Sequence, residues 1–130
     1  MPRPVARAIR AHARSEVPRE CCGFLIGAAG HVQYCLPVAN GAAGTSRYRV
    51  DPRDHLDVRR WLRRLAPPLA LVGVYHSHPR GPAVPSARDL AESHYPDWVH
   101  VIAGPVSGRI PLAAFRIAHG RATPILLRVG

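Results

Sequence analysis

Two histidines that lie two positions apart, His76 and His78, are the residues of this chain best suited to chemistry. They follow an apolar run from Leu69 to Tyr75, and a run this short and this apolar is typical of a buried central strand. Residues two apart on a strand point to the same face, so we expect the two imidazoles to lie side by side. Pro79 lacks a backbone donor, so the strand should end there.

A carboxylate from a following helix can join this pair. Ser86 is typical of a helix N-cap, and Asp89, three residues later, falls in the first turn of that helix. Two histidines and one carboxylate can surround one cation, and three such ligands with one open position are the arrangement of a catalytic zinc. Paired histidines are also often plain polar residues at a strand end, so the residues alone leave both interpretations open.

The spacing of these residues resembles a known signature. His76-Ser77-His78-Pro79, six residues, Ser86, two residues and Asp89 is similar to the motif of the JAMM (MPN+) metalloproteases. The segment from Pro18 to Gly27 is similar to the one that carries the upstream glutamate in the bacterial branch of that family, here Glu20. The resemblance extends from about Val5 to about Leu127.

The resemblance implies one zinc ion per chain, held by His76, His78 and Asp89, which lowers the pKa of a bound water towards ~7. It also implies that Glu20 accepts the proton of that water and passes it to the leaving amine. Ser86 would donate a hydrogen bond to the oxyanion. One hydroxyl can hardly fill this role and helix capping fully at once, and we favour the oxyanion role because the resemblance implies it.

The same resemblance implies a substrate class. JAMM proteins hydrolyse amide bonds after the C-terminal glycines of ubiquitin-like proteins. This chain is close to a minimal domain, and residues 81–85 are small or proline-rich, where eukaryotic members tend to have a bulkier, aromatic stretch. We therefore expect the C-terminal tail of a ubiquitin-like sulfur carrier as the substrate, with release of a cysteine or a short extension.

Charge and motifs bear on the alternatives. The chain carries 18 basic residues, all arginine, against 8 acidic ones, for a net charge of +10, which attracts acidic partners. The hypothesis of a nucleic-acid-binding protein rests on this charge alone, because the sequence contains no binding motif. Nucleic acid is therefore not an expected partner. A non-catalytic scaffold of the same fold stays open, although such members usually lack the ligands. A zinc deaminase would need His-x-Glu and Pro-Cys-x-x-Cys, which this sequence lacks.

Composition indicates a cytoplasmic protein. No apolar stretch approaches the roughly 20 residues of a membrane span, so we expect no membrane partner. The odd count of three cysteines argues against a disulfide framework and favours a reduced compartment. The sequence leaves a homodimer open.

Periodicity predicts an α/β fold with a mixed central β-sheet flanked by helices, in a single domain over residues 1–130. The resemblance implies a cytidine-deaminase-like JAMM/MPN domain. A helix opening at Asp51-Pro52 should face the core with Val58, Trp61, Leu62 and Leu65. Of the other predicted helices, one starts at Pro4 and one runs from Ser86 to about His94. Strands are predicted over residues 20–28, 31–38, 47–50, 98–103, 110–118 and 122–129, with a loop over residues 40–46. His119-Gly120 should form the tight hairpin turn between the last two strands, and Pro124 marks the last strand as an edge.

Overall fold

The computed structural model describes residues 1–28, 30–65 and 67–130. Over these residues the helices are α1 (Arg3–Glu16), α2 (Pro52–Leu65) and α3 (Ala87–Glu92), and the strands are β1 (Cys22–Ala28), β2 (His31–Val38), β3 (Ala70–Ser77), β4 (Val99–Ala103), β5 (Leu112–Ala118) and β6 (Arg121–Ile125). One sheet contains them in the order β2-β1-β3-β4-β5-β6. The β3–β4 pair is parallel and the other neighbouring pairs are antiparallel, so the predicted mixed sheet is confirmed.

Different helices cover the two faces of the sheet. α1 places Ile9 and Ala13 in a core with Leu25 and Tyr75. On the opposite face, α2 contributes Leu62 to a second core that contains strand residues such as Phe24 and Val74. Because side chains alternate between faces along a strand, His76 shares a face with Val74 and therefore lies on the α2 side. The predicted α/β fold with flanking helices is confirmed.

The core stripe predicted for α2 is half wrong. Leu62 is buried and Val58 partly buried, but Trp61 is 50% and Leu65 62% exposed. Successive helical residues are rotated by about 100°, so Trp61 and Leu65 form a line beside that of Val58 and Leu62. The sheet covers only the second line, and apolar residues at the flank of the helix stay in contact with water.

Two predicted strands also differ from the structure. Residues 47–50 are not in a strand, because the backbone groups of Arg49 are bound by Asn40 and Gly41 rather than by a neighbouring strand. The last strand ends at Ile125, since the chain beyond it turns to the N-terminus: the Met1 ammonium donates to the Arg128 carbonyl at 2.8 Å.

Local turn and edge predictions are confirmed. His119 and Gly120 both have positive φ, of 53° and 70°, as a two-residue hairpin with the right-handed strand twist requires. β6, which contains Pro124, is an edge strand.

All three cysteines are free thiols. Among the residues that the structure describes, no helix has the length and apolar character needed to span a membrane.

Ser77 is a buried polar residue that connects β3 to the residue before β1. Its Oγ accepts a hydrogen bond from the Cys21 N–H at 2.8 Å, and its own N–H donates to the Cys21 carbonyl at 3.1 Å. Ser77→Ala leaves a buried N–H without an acceptor, so we expect the free energy of unfolding to fall by about 1–3 kcal/mol. Urea unfolding of the metal-free protein measures this change.

The matched control for this prediction is Ser107→Ala, which removes an exposed hydroxyl. Its effect should stay within about 0.5 kcal/mol. Equal losses in the two variants would contradict the role given to the Ser77 hydroxyl.

Candidate active site

The register of the sheet brings Glu20 next to His78. The hydrogen bonds between Cys21 and Ser77 extend the antiparallel pairing of β1 and β3 by one residue pair. One step further in the same register, Glu20 lies opposite His78, and the Glu20 Oε1 atom is 3.7 Å from the His78 Nε2 atom. Residues far apart in the chain are thus brought together by strand pairing.

Three side-chain atoms converge at the end of β3. The Nε2 atoms of His76 and His78 lie 3.1 Å apart, and the Oδ2 atom of Asp89 lies 3.2 Å from each of them. His76 and Glu20 are buried, while His78 and Asp89 are partly buried. With Ser86 capping the helix that carries Asp89, all five residues singled out in the sequence lie in one region.

A capping box at the start of α3 positions Asp89. The Ser86 Oγ accepts a hydrogen bond from the Asp89 N–H at 3.1 Å, and the Asp89 Oδ2 accepts one from the Ser86 N–H at 2.8 Å. Capping uses a lone pair of the Ser86 hydroxyl and leaves its proton free to donate. The expected competition between capping and oxyanion binding therefore does not arise.

The two carboxyl groups have opposite pKa shifts. Burial raises the pKa of Glu20 to about 7, against the opposing effect of His78. Burial alone would also raise the pKa of Asp89, but its hydrogen bonds with His76 and His78 hold that pKa well below the usual range. Near neutral pH, Asp89 is ionised, whereas Glu20 can take up or release a proton. Carboxyl groups whose pKa values are pushed apart in this way are typical of acid–base sites.

The two imidazole rings are held in different ways. The Nδ1 atom of His78 lies 2.9 Å from the Pro82 carbonyl, which accepts a hydrogen bond from Nδ1–H and so directs the Nε2 lone pair into the site. The Nδ1 atom of His76 is buried and has no hydrogen-bond partner among the described residues. The His76 ring instead stacks on the Tyr48 ring, with centroids 4.5 Å apart and an interplanar angle of 23°.

This cluster has the chemistry of a metal site. Two imidazole nitrogens that face each other at 3.1 Å repel unless a proton or a cation lies between them. Ligand atoms of Glu20, His76 and His78 all lie within 4.8 Å of one another, and Asp89 adds a carboxylate oxygen closer to both rings. Nitrogen and oxygen donors of this kind suit a divalent transition-metal ion.

A cleft opens onto the cluster. It has a volume of about 420 Å³ and is lined by Glu20, His78 and Ser86, by residues of the proline-rich 79–85 loop, and by Thr45 and Ser46. A second cavity of about 620 Å³ includes Asp89 and Tyr48 in its lining. Residues 47–50 were predicted as a strand, so the contribution of Tyr48 to this site was not predicted. An aromatic residue next to a Gly-, Ser- and Thr-rich stretch was the available signal.

His100 is a buried histidine outside the cluster, and its titration gives a pH prediction. Burial lowers its pKa from 6.5 to about 4, so the unfolded chain binds the proton more readily than the folded protein. Stability contributed by the neutral ring is complete above about pH 6.5 and is lost as the pH falls towards 4. We expect this group to destabilise the metal-free protein by about 2 kcal/mol between pH 8 and pH 5.

Chemical denaturation at the two pH values tests this expectation. The free energy of unfolding should fall between pH 8 and pH 5 by about 2 kcal/mol less in His100→Asn than in the wild type. His119→Asn, a matched change at an exposed position, should show the wild-type pH dependence. An unchanged pH dependence in His100→Asn would contradict the burial effect.

Comparison with known proteins agrees with the fold and the motif. The model for prokaryotic homologues of the JAB domain matches residues 2–118. A probable TtuB-protein conjugate cleaving protease from Thermus thermophilus is 35% identical over 96 residues, which are 73% of this chain and 63% of that protein. A CysO-cysteine peptidase from Mycobacterium tuberculosis is 34% identical over 125 residues, covering 92% of this chain and 82% of the relative.

Solved structures of two other proteins have a similar fold. A Desulfitobacterium hafniense protein with a solution structure has 25% identity and a TM-score of 0.87, with 100% of this chain and 93% of that chain covered. A JAB1/MPN domain protein from Archaeoglobus fulgidus has 17% identity and a TM-score of 0.62, with 98% and 95% covered, and supports the fold alone. The resemblance drawn from the motif is confirmed: the chain belongs to the family of prokaryotic homologues of the JAB domain.

Proposed function

We propose that this protein is a zinc metallopeptidase that hydrolyses the amide bond after the C-terminal Gly-Gly of a ubiquitin-like sulfur-carrier protein. The observation that carries the proposal is the convergence of two imidazole nitrogens and a carboxylate oxygen within 3.2 Å, with a second carboxylate beside them. The printed names of the two curated relatives, a conjugate-cleaving protease and a CysO-cysteine peptidase, support the substrate class.

His76, His78 and Asp89 would hold one zinc ion per chain. Asp89 is the better candidate for the carboxylate ligand because its Oδ2 is 3.2 Å from both Nε2 atoms, whereas the nearest approach of Glu20 is 3.7 Å, to the Nε2 of His78. When bound there, a zinc ion would supply Lewis acidity that lowers the pKa of a water molecule towards neutrality.

Glu20 acts as the general base and then as the general acid. Its carboxylate takes a proton from the attacking water as the water oxygen bonds to the scissile carbonyl carbon. When the carbon–nitrogen bond breaks, Glu20 returns this proton to the leaving amine. The position of Glu20 beside His78 and in the wall of the cleft supports this role.

Ser86 stabilises the charge that develops on the carbonyl oxygen. Its hydroxyl lies in the wall of the same cleft, and its proton is free because capping occupies only a lone pair of the oxygen. A donor aimed at the tetrahedral oxyanion typically contributes on the order of 10²–10³ to turnover.

The cleft suits a thin, extended tail. The side of the cleft formed by Gly81, Pro82, Val84 and Pro85 carries no large aromatic side chain, so an extended Gly-Gly segment can lie against it with mainly backbone contacts. The net charge of +10 favours an acidic carrier. Cytoplasmic location and a single domain over residues 1–130 stay predictions.

Intact-mass spectrometry tests this function. A Gly-Gly-ended sulfur carrier that bears one extra C-terminal cysteine is incubated with the zinc-loaded protein and, separately, with the Glu20→Ala variant. We expect loss of one cysteine residue only with the wild type. An unchanged carrier mass with zinc bound, for this substrate and for isopeptide-linked and longer-tailed conjugates, would overturn the proposed reaction.

A further inference from the structure

The side chain of Asn40 is fully engaged at the start of the 41–49 loop. Its Nδ2 donates to the carbonyls of Glu20 at 2.9 Å and Arg47 at 3.0 Å. Its Oδ1 accepts from the N–H groups of Ala42 at 2.9 Å and Arg49 at 3.0 Å. A carboxamide offers two donor hydrogens and two acceptor lone pairs, so this side chain uses its complete capacity on the backbone around the active site.

Two of these bonds hold the peptide groups on either side of Tyr48. The Arg47 carbonyl belongs to the peptide bond that precedes Tyr48, and the Arg49 N–H belongs to the peptide bond that follows it. One side chain therefore forms hydrogen bonds with the backbone on both sides of Tyr48. The Gly41 N–H also donates to the Arg49 carbonyl at 2.9 Å, which closes the base of the loop.

The ring that is held in this way supports His76. Histidines that bind metals are usually oriented by a hydrogen bond at their second nitrogen, and His78 has such a bond with the Pro82 carbonyl. The second nitrogen of His76 has no such partner in the described part of the chain. Stacking on Tyr48, with ring centroids 4.5 Å apart, instead supports one face of this ring.

Further contacts connect the loop to both sides of the site. Arg19, which precedes Glu20 in the sequence, donates hydrogen bonds from its guanidinium to the carbonyls of Asn40 and Ala42. The Arg47 Nη2 atom lies 3.8 Å from the Glu92 Oε1 atom on α3, the helix that carries Asp89. Asn40 thus lies where the segments that bear Glu20 and Tyr48 meet.

We propose that Asn40 is a positioning residue of the metal site: its amide ties the backbone of Glu20 to both peptide groups of Tyr48 and so holds the Tyr48 ring against His76. Asn40 acts through other residues and touches no reacting atom. The inference rests on the proposed function in one respect, the assignment of His76 as a metal ligand. Loss of a partner that orients a ligand typically costs 10–100-fold in metal affinity or activity, and we expect an effect of this size.

Zinc binding measured against a chromophoric chelator tests the proposal without any substrate. Asn40→Ala and Tyr48→Leu should each raise the zinc dissociation constant by about 10–100-fold, and both should change the visible absorption of the cobalt-substituted protein, which reports ligand geometry. Tyr48→Phe keeps the stacked ring and should restore zinc binding to within about threefold of the wild type. Gln33→Ala removes an exposed side-chain amide on β2 and serves as the matched control.

Two results would overturn the proposal. One is an Asn40→Ala protein that is less stable in urea but binds zinc and gives a cobalt spectrum as the wild type does, because Asn40 would then be only structural. The other is unchanged zinc binding in Tyr48→Leu, which tests the stacking even where Asn40→Ala fails to fold. A wild type that binds zinc but cleaves no conjugate would count against the proposed function alone, whereas a wild type without zinc affinity would remove both.

Discussion

Glu20→Gln should slow hydrolysis by about 10²–10⁴-fold while zinc stays bound. Glutamine has nearly the same size and keeps a hydrogen-bonding oxygen, but its amide cannot take up the proton of the attacking water. General acid–base catalysis typically contributes 10²–10⁴-fold, so we expect kcat to fall by about that factor. KM should change little, because the side chain is buried in the wall of the cleft and the substitution leaves its shape intact.

The measurement combines a time course of carrier mass with the zinc content of the dialysed protein. Glu16→Gln, at an exposed position near the end of α1, is the matched control and should hydrolyse at the wild-type rate. The decisive readout is the metal. Since ligand atoms of Glu20, His76 and His78 lie within 4.8 Å of one another, a variant that loses zinc together with activity would identify Glu20 as a ligand and contradict its role as the base.

His78→Ala should lose the metal itself, and with it all hydrolysis. The substitution removes one of three proposed ligands and leaves His76 and Asp89, which cannot complete a tetrahedral site without two further molecules from solvent. Loss of an outer-shell partner already costs 10–100-fold in metal affinity, so loss of a direct ligand should lower zinc affinity by more than about 100-fold. After dialysis the variant should contain almost no zinc.

Zinc content by elemental analysis and competition with a chelator measures this loss. His31→Ala changes an exposed histidine at the start of β2 and should retain zinc and activity. Full zinc occupancy in His78→Ala would remove His78 from the ligand set. Together the two variants separate the roles, because Glu20→Gln should keep the metal with strongly reduced turnover, whereas His78→Ala should lose both the metal and turnover.

Short-range patterns explain what could be predicted from the sequence. The period-two spacing of His76 and His78, the cap at Ser86 and the hairpin at His119-Gly120 depend on residues within a few positions of each other. Such interactions act on any chain that contains them, so the strand, the short helix and the turn were predicted near their observed bounds. Burial was harder to predict from the sequence. Trp61 and Leu65 are large apolar residues of the kind usually found in a core, but they lie outside the face of α2 that the sheet covers.

By itself, the sequence determined the residues of the candidate site, the α/β order of the elements and, through the motif, the family. Only the tertiary structure decided how the segments meet. The register of β1 on β3 puts Glu20 opposite His78, and it follows from which faces of two distant strands are buried, a property that no local pattern contains. The contact between Tyr48 and His76 likewise depends on how Asn40 closes its loop. Non-local register and loop closure are cooperative results of packing the whole chain, which is why they became visible only in the folded structure.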